Sequence, residues 1–120
     1  MKIAITSSGR ALESPVDPRF GRAAFFIVID ADTGAFEAHD NVQNLNAAQG
    51  AGIQAAGTVS RLGAEVVITG HCGPKAFRAL RAAGIRIVVG AEGTVREALE
   101  RFRKGDLKPA DAPDVEGHWA

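Results

Sequence analysis

The chain patterns as an α/β domain, a five-stranded mixed sheet in the order 3-2-1-4-5 with three helices. Three observations predict it. Three runs with strand character fill residues 2–41, with no helical period between them. From residue 46 onward, helix-period stretches alternate with short β-branched runs, the succession that builds parallel strands. And Val66-Val67-Ile68 runs into Thr69-Gly70-His71-Cys72-Gly73-Pro74, the handover from a buried strand through a glycine turn to a helix.

Each element follows from its residues. Residues 2–6 form a first strand, with Ile3 and Ile5 on one face and Ala4 on the other. Residues 7–22 carry Ser-Ser-Gly, Pro15, Pro18 and Gly21 and read as a loop of functional length. Residues 23–30 are a second strand, continuous in Phe25, Phe26, Ile27, Val28 and Ile29. Asp32-Thr33-Gly34 is a hairpin turn. Residues 35–41 alternate, Phe36 and Ala38 inward, Glu37 and His39 outward, as in a half-exposed antiparallel strand.

Asn46 and Gln49 have capping-box spacing for a first helix running to about Arg61, with Ala55, Val59 and Leu62 on its buried stripe. Its opening, Gln49-Gly50-Ala51-Gly52, is low in bulk and lets another backbone or a ligand come close. Strand four is 65–69. Helix two begins at Pro74 and buries Ala76, Phe77, Leu80 and Ala83 before Gly84 ends it. Strand five is 85–89, followed by the glycine turn 90–93. Thr94 and Glu97 make a capping box for helix three, which buries Val95, Ala98, Leu99 and Phe102 and stops at Gly105. The domain is therefore expected over 1–105, and 106–120, with two prolines and several charges, as a flexible tail.

The first three strands form an antiparallel meander, and strands four and five enter by right-handed crossovers parallel to strand one. This is the layout of the ribonuclease H-like architecture, in three layers. It places the loop 7–22, the turns 70–73 and 90–93, and the starts of all three helices at one end of the sheet, where open α/β sheets bind ligands. Helix N-termini supply N–H donors and partial positive charge, and Arg10, Arg19 and Arg22 add full charges. The prediction is an anion pocket.

Composition narrows the function classes. The formal net charge is zero, with 14 basic and 14 acidic side chains, so neither nucleic acid nor a membrane surface is an expected partner. One cysteine excludes an internal disulfide and the zinc patterns that need paired cysteines. The N-terminus reads as a strand rather than a signal peptide, and cytoplasm is the expected location.

Single residues carry two readings. Cys72 is either a small buried hydrophobe or, at a helix N-terminus that lowers its pKa, a ligating thiolate. His71 is either an exposed turn residue or a ligand, and two adjacent residues rarely chelate one ion together. Arg19 and Arg22 either line a solvated loop or neutralise an anion. His39 reads as a solvated residue of an edge strand, and His118 and Trp119 fall in the tail.

The segment Val16-Asp17-Pro18-Arg19-Phe20-Gly21-Arg22-Ala23, the apolar strand ending in Asp30, the spacing to Asn41, Gln49-Gly50-Ala51-Gly52 and Ile68-Thr69-Gly70-His71-Cys72-Gly73-Pro74-Lys75-Ala76 together resemble the dinitrogenase iron-molybdenum cofactor biosynthesis family, over about residues 1–104. As a free-standing domain the chain is most similar to the branch of molybdenum-copper-sulfide orange proteins. The resemblance implies a ribonuclease H-like fold and a non-catalytic carrier of a preformed metal–sulfur cluster, of molybdenum-copper-sulfide or iron-molybdenum type. It also implies cluster-delivery or ATPase proteins as partners. Such clusters are anionic, and one cysteine cannot supply the thiolates of an ordinary iron–sulfur site. Binding would rest on Gly73 and the backbone behind Pro74 donating to cluster sulfur, Arg19 and Arg22 neutralising charge, and Phe20 covering an apolar edge. Ser8, Gly9, Gly50, Gly70 and Gly90 would permit close approach, with at most Cys72 or His71 touching metal.

Three other functions compete. Ribonuclease-type chemistry needs carboxylates at the sheet centre, and strand one has none. A sensor of a small phosphate-type anion would use the same pocket, though no Gly-Lys-Ser/Thr loop is present. A thiol enzyme would lack both a resolving cysteine and a clearly placed base.

Overall fold

The structure is a computed structural model and describes residues 1–114. Eight elements follow in order: β1 Lys2–Ser7, β2 Phe25–Asp30, β3 Phe36–Asp40, α1 Ala51–Arg61, β4 Val66–Ile68, α2 Pro74–Ala82, β5 Arg86–Val88 and α3 Val95–Arg103. The sheet order is β3-β2-β1-β4-β5, the order expected. β1 pairs antiparallel with β2 (Ile5 opposite Ile27) and parallel with β4 (Ile5 opposite Ile68).

Alternation along β1 divides the core in two. Ala4 points with Phe26, Val28 and Val67 toward α1 and α2, which contribute Ala55, Ala56, Val59, Ala76, Phe77 and Leu80. Ile3 and Ile5 point the other way with Ile27, Ile29, Val66 and Ile68, under Val95, Ala98 and Leu99 of α3. On the first face the small Ala55, Ala56 and Ala76 of the two helices pack among larger Phe26, Phe77 and Leu80, and branched residues fill the space beneath the single helix on the second. At roughly 25 cal/mol per Å² of apolar surface, these two layers are the main stabilising term.

Three local expectations are corrected. α1 starts at Ala51, not after Asn46, and Gly50 is its N-cap without a side-chain bond. The Gln54 amide explains the delay: it donates to the carbonyls of Asn44 and Gln49 and accepts from the Asn44 N–H (2.8 Å), folding 44–49 into a loop around itself. Ala83 is exposed, because it is the residue that caps α2 rather than part of its stripe. Phe36 is 42% exposed, since α3 does not reach the sheet edge formed by β3. The capping box at Thr94 and Glu97 forms as expected, and Phe102, near the end of the α3 stripe, is half-buried rather than buried.

After Gly105, Leu107 is buried against the α3 side and the Ala110 N–H donates to the Ile87 carbonyl at 2.7 Å. His118 and Trp119 lie outside the described residues. Among the described residues no helix is long and apolar enough to cross a membrane.

Candidate functional site

β1, β3, β4 and β5 run in one direction, so the loop after β1 and the turns after β4 and β5 meet at one sheet end. Backbone hydrogen bonds lock them together. The His71 N–H donates to the Pro18 carbonyl (2.8 Å) and the Phe20 N–H returns to the His71 carbonyl (3.1 Å). The Gly90 N–H donates to the Gly70 carbonyl (2.8 Å), and the Val16 N–H to the Gly93 carbonyl (2.9 Å). Beneath them the buried Thr6 hydroxyl donates to the Asp17 carbonyl (2.8 Å) and lies 2.9 Å from the Thr69 hydroxyl, which can donate to it in turn. A loop of this length is held here by the sheet rather than left to solvent.

Gly70 is what permits the closest of these approaches. A Cβ on it would lie 2.8 Å from both Cα and the carbonyl oxygen of Pro18, backbone atoms that cannot rotate away. Gly70→Ala is therefore expected to destabilise the fold by about 1–3 kcal/mol, read as a lowered urea midpoint with unchanged slope. An unchanged midpoint would show that the 7–22 loop yields freely. Gly90 serves differently: its φ of +82° is the left-handed region that a side chain resists.

The three helix starts are not equivalent, which corrects the expectation that all three offer donors. At α3 the Val95 and Arg96 N–H groups donate to the Ser14 and Leu12 carbonyls, and the Glu97 N–H donates to the Thr94 hydroxyl. That end is closed by the chain itself. At α1 no side chain caps the helix, and beside it lies a hollow of about 270 Å³ lined by Arg22, Gln43, Leu45, Gly50 and Ala51 among others. Gln43 shapes its wall, its amide donating to the carbonyls of Gly21 (2.7 Å) and Ala51 (3.0 Å), while the Asn41 amide donates to those of Gly21 and Ala23. Arg22 is exposed at the rim. α2 lies on the same face of the sheet, so its N-terminus opens at the same end. There Gly73 is the N-cap with Pro74 at the first position, and a carboxylate is already present. Asp114 Oδ1 accepts from the Cys72 N–H at 2.8 Å, and its Oδ2 lies 2.9 Å from His71 Nδ1.

The residues singled out from sequence are thus divided. Arg22 and Gly50 meet at the α1 hollow, and His71, Gly73 and Pro74 meet at the α2 start. Arg19 is exposed on the segment that pairs with His71. Ser8 and Gly9 sit where the loop leaves β1, Ser8 Oγ donating to the Pro15 carbonyl and the Gly9 N–H to Ser7 Oγ. Arg10 is committed elsewhere, its guanidinium 2.7 Å from Asp40 and 4.7 Å above the Phe25 ring.

Two side chains point inward instead. Phe20 was expected over an apolar edge of a bound group, but its ring is fully buried and packs 5.7 Å from that of Phe26. Of the two readings of Cys72, the structure takes the small buried residue over the lowered-pKa ligating thiolate. Its sulfur is fully buried, and burial together with the nearby Asp114 charge pushes the thiol up to about 12. Desolvation of the thiolate outweighs the helix dipole there. No group of three or more His, Cys, Asp or Glu gathers in metal-ligating geometry among the described residues. The donors present are backbone N–H groups and guanidinium, suited to holding an anion by charge and hydrogen bonds rather than by ligation.

Known proteins fit this arrangement. The apo form of the orange protein from Desulfovibrio gigas is 48% identical, with 95% of this chain and 96% of that chain covered and a TM-score of 0.90. The solution structure of a putative NifB protein from Thermotoga is 34% identical over 97% of this chain and 98% of that one, with a TM-score of 0.81. An uncharacterised protein of Methanocaldococcus jannaschii is 26% identical over 110 residues, 90% of each chain. The family described as dinitrogenase iron-molybdenum cofactor matches residues 1–105, and the chain belongs to that family.

Proposed function

We propose that this protein binds and carries a preformed, anionic metal–sulfur cluster of molybdenum with copper or iron, at the strand C-terminal end on the α1/α2 side of the sheet. Family membership and the likeness to an orange protein support a role in binding or building metal-cluster cofactors. The observation that carries the finer reading is the α1 hollow, where an uncapped helix N-terminus and Arg22 face the same space. The α2 start opens on the same side, and Arg19 stands on the loop beside it. Sulfide ligands of such a cluster are acceptors, which backbone N–H groups satisfy without a protein thiolate. The one thiol, held protonated by burial, is a poor nucleophile, which supports carriage over thiol catalysis. Cluster-delivery proteins are the partners this reading needs, and the cytoplasm is the compartment it fits.

Arg22→Glu, alone and with Arg19→Glu, tests it. Tetrathiomolybdate with copper(I) is the probe, and binding is read from the visible charge-transfer bands. Two reversed charges at the rim should weaken retention by about tenfold or more, while the circular dichroism and unfolding midpoint stay near wild type. Equal retention by the double variant would overturn the charge-held site. Tight binding of inorganic phosphate in competition with the probe would favour instead a sensor of small phosphate-type anions.

A further inference from the structure

Residues 106–114 cross the outer edge of β5 and reach the proposed cargo site. Three contacts define its course. Leu107 is buried beneath α3. The Ala110 N–H donates to the Ile87 carbonyl (2.7 Å), and the Asp111 carbonyl accepts from the Arg81 guanidinium (3.3 Å) on α2. From there three residues carry the chain to Asp114, whose carboxylate takes the Cys72 N–H and stands against His71.

That carboxylate has the chemistry of the ligand the site is argued to take. It is an anion at the start of a nine-residue helix, accepting a backbone N–H from the turn, with a histidine on its second oxygen. An intramolecular anion so placed has two effects on an incoming one. It occupies the Cys72 N–H beside the helix start, and its own charge repels the newcomer. We infer that Asp114 is a built-in competitor: residues 111–114 act as a strap whose carboxylate occupies the α2 end of the cargo site and must leave when the cluster binds.

The inference rests on the carrier reading, and it adds a device for release. A cluster held by charge and hydrogen bonds needs a way off, and a tethered carboxylate supplies one at high effective concentration, exchanging with the cargo without a protein ligand bond to break. The anchor at Ala110 and the exposed position of residues 111–114 let the tip swing without unfolding the domain.

The test uses the full chain with tetrathiomolybdate and copper(I). Asp114→Ala removes both contacts, and Asp114→Asn keeps an oxygen for the Cys72 N–H but removes the charge. Asp114→Ala should bind the probe roughly three- to tenfold more tightly, with Asp114→Asn between it and wild type. In wild type, saturating probe should shift the amide resonances of Cys72 and of residues 111–114 together. Equal affinities, or resonances of 111–114 that stay in place at saturation, would overturn the strap while leaving the carrier reading intact. Failure of wild type and both variants to bind the probe would overturn both.

Discussion

Phe20→Ala is expected to cost about 3–5 kcal/mol of folding stability, enough to leave much of a marginally stable domain unfolded. The ring has no exposed surface and sits in a cluster rich in alanine, with Ala23, Ala55, Ala56 and Ala76 among its members. Such neighbours are already at their smallest, so they cannot grow into the space an aromatic ring vacates, and the cavity persists. The tilted contact with Phe26 adds an aromatic pair that alanine also loses. Urea unfolding followed by circular dichroism measures the loss. The same variant separates two roles. Phe20 belongs to the segment that carries Arg19 and Arg22, bound on both sides through His71, so its ring anchors the loop from within the core. Where the variant is folded by osmolyte or low temperature, probe binding should weaken only as far as the loop loosens. A stability loss under about 1 kcal/mol together with lost probe binding would reverse the assignment and return the ring to the cargo.

That reversal of Phe20 marks where sequence stops being legible. The sheet order follows from local pattern and chain connectivity: hairpin chemistry at Asp32–Gly34 region residues, β-branched runs, and two helical crossovers leave few topologies, and the structure adopts the one expected. The box at Thr94 and Glu97 forms, each side chain taking the other residue's backbone N–H. Asn46 and Gln49 have the same spacing and fail, because Gln54, one turn inside the helix, captures the loop carbonyls first. Spacing alone cannot register a competitor that lies outside the motif. The convergence of the loops was likewise readable from topology, but the state of each helix start was not. α3 is closed by carbonyls of Leu12 and Ser14, far away in sequence, and the turn before α2 meets a carboxylate more than forty residues on. Asp114 lies in a stretch with no periodicity, so no local signal points to it. Gln43 offered a little more, standing two residues past Asn41 in the segment that borders Gly21.

The second large effect concerns Cys72 and pH. In the folded protein its thiol is pushed from an ordinary value of 9.0 up to about 12, first by burial and then by the charge of Asp114. The unfolded chain exposes the thiol and lets it ionise near its ordinary value. Between those two limits the native state holds a proton that the unfolded state has lost, so the contribution to stability is complete below about pH 9 and is lost as pH rises toward 12. The slope approaches about 1.4 kcal/mol per pH unit, on the order of 4 kcal/mol across the whole window. Lysines titrate in the same range, so the measurement is a comparison: unfolding free energy of wild type and of Cys72→Ala from pH 8 to 11. The wild type should fall more steeply, and Cys72→Ala should start lower at pH 8 and converge as pH rises. Parallel curves would mean that the sulfur ionises in the native state as it does in the unfolded chain. The outcome bears directly on cargo. A metal that took this sulfur as a thiolate would have to displace a proton held well above neutrality and open a fully buried position, whereas an anion at the uncapped start of α1 beside the exposed Arg22 meets neither cost. Steep loss in wild type alone therefore favours a cluster held at the surface by charge over one ligated by Cys72.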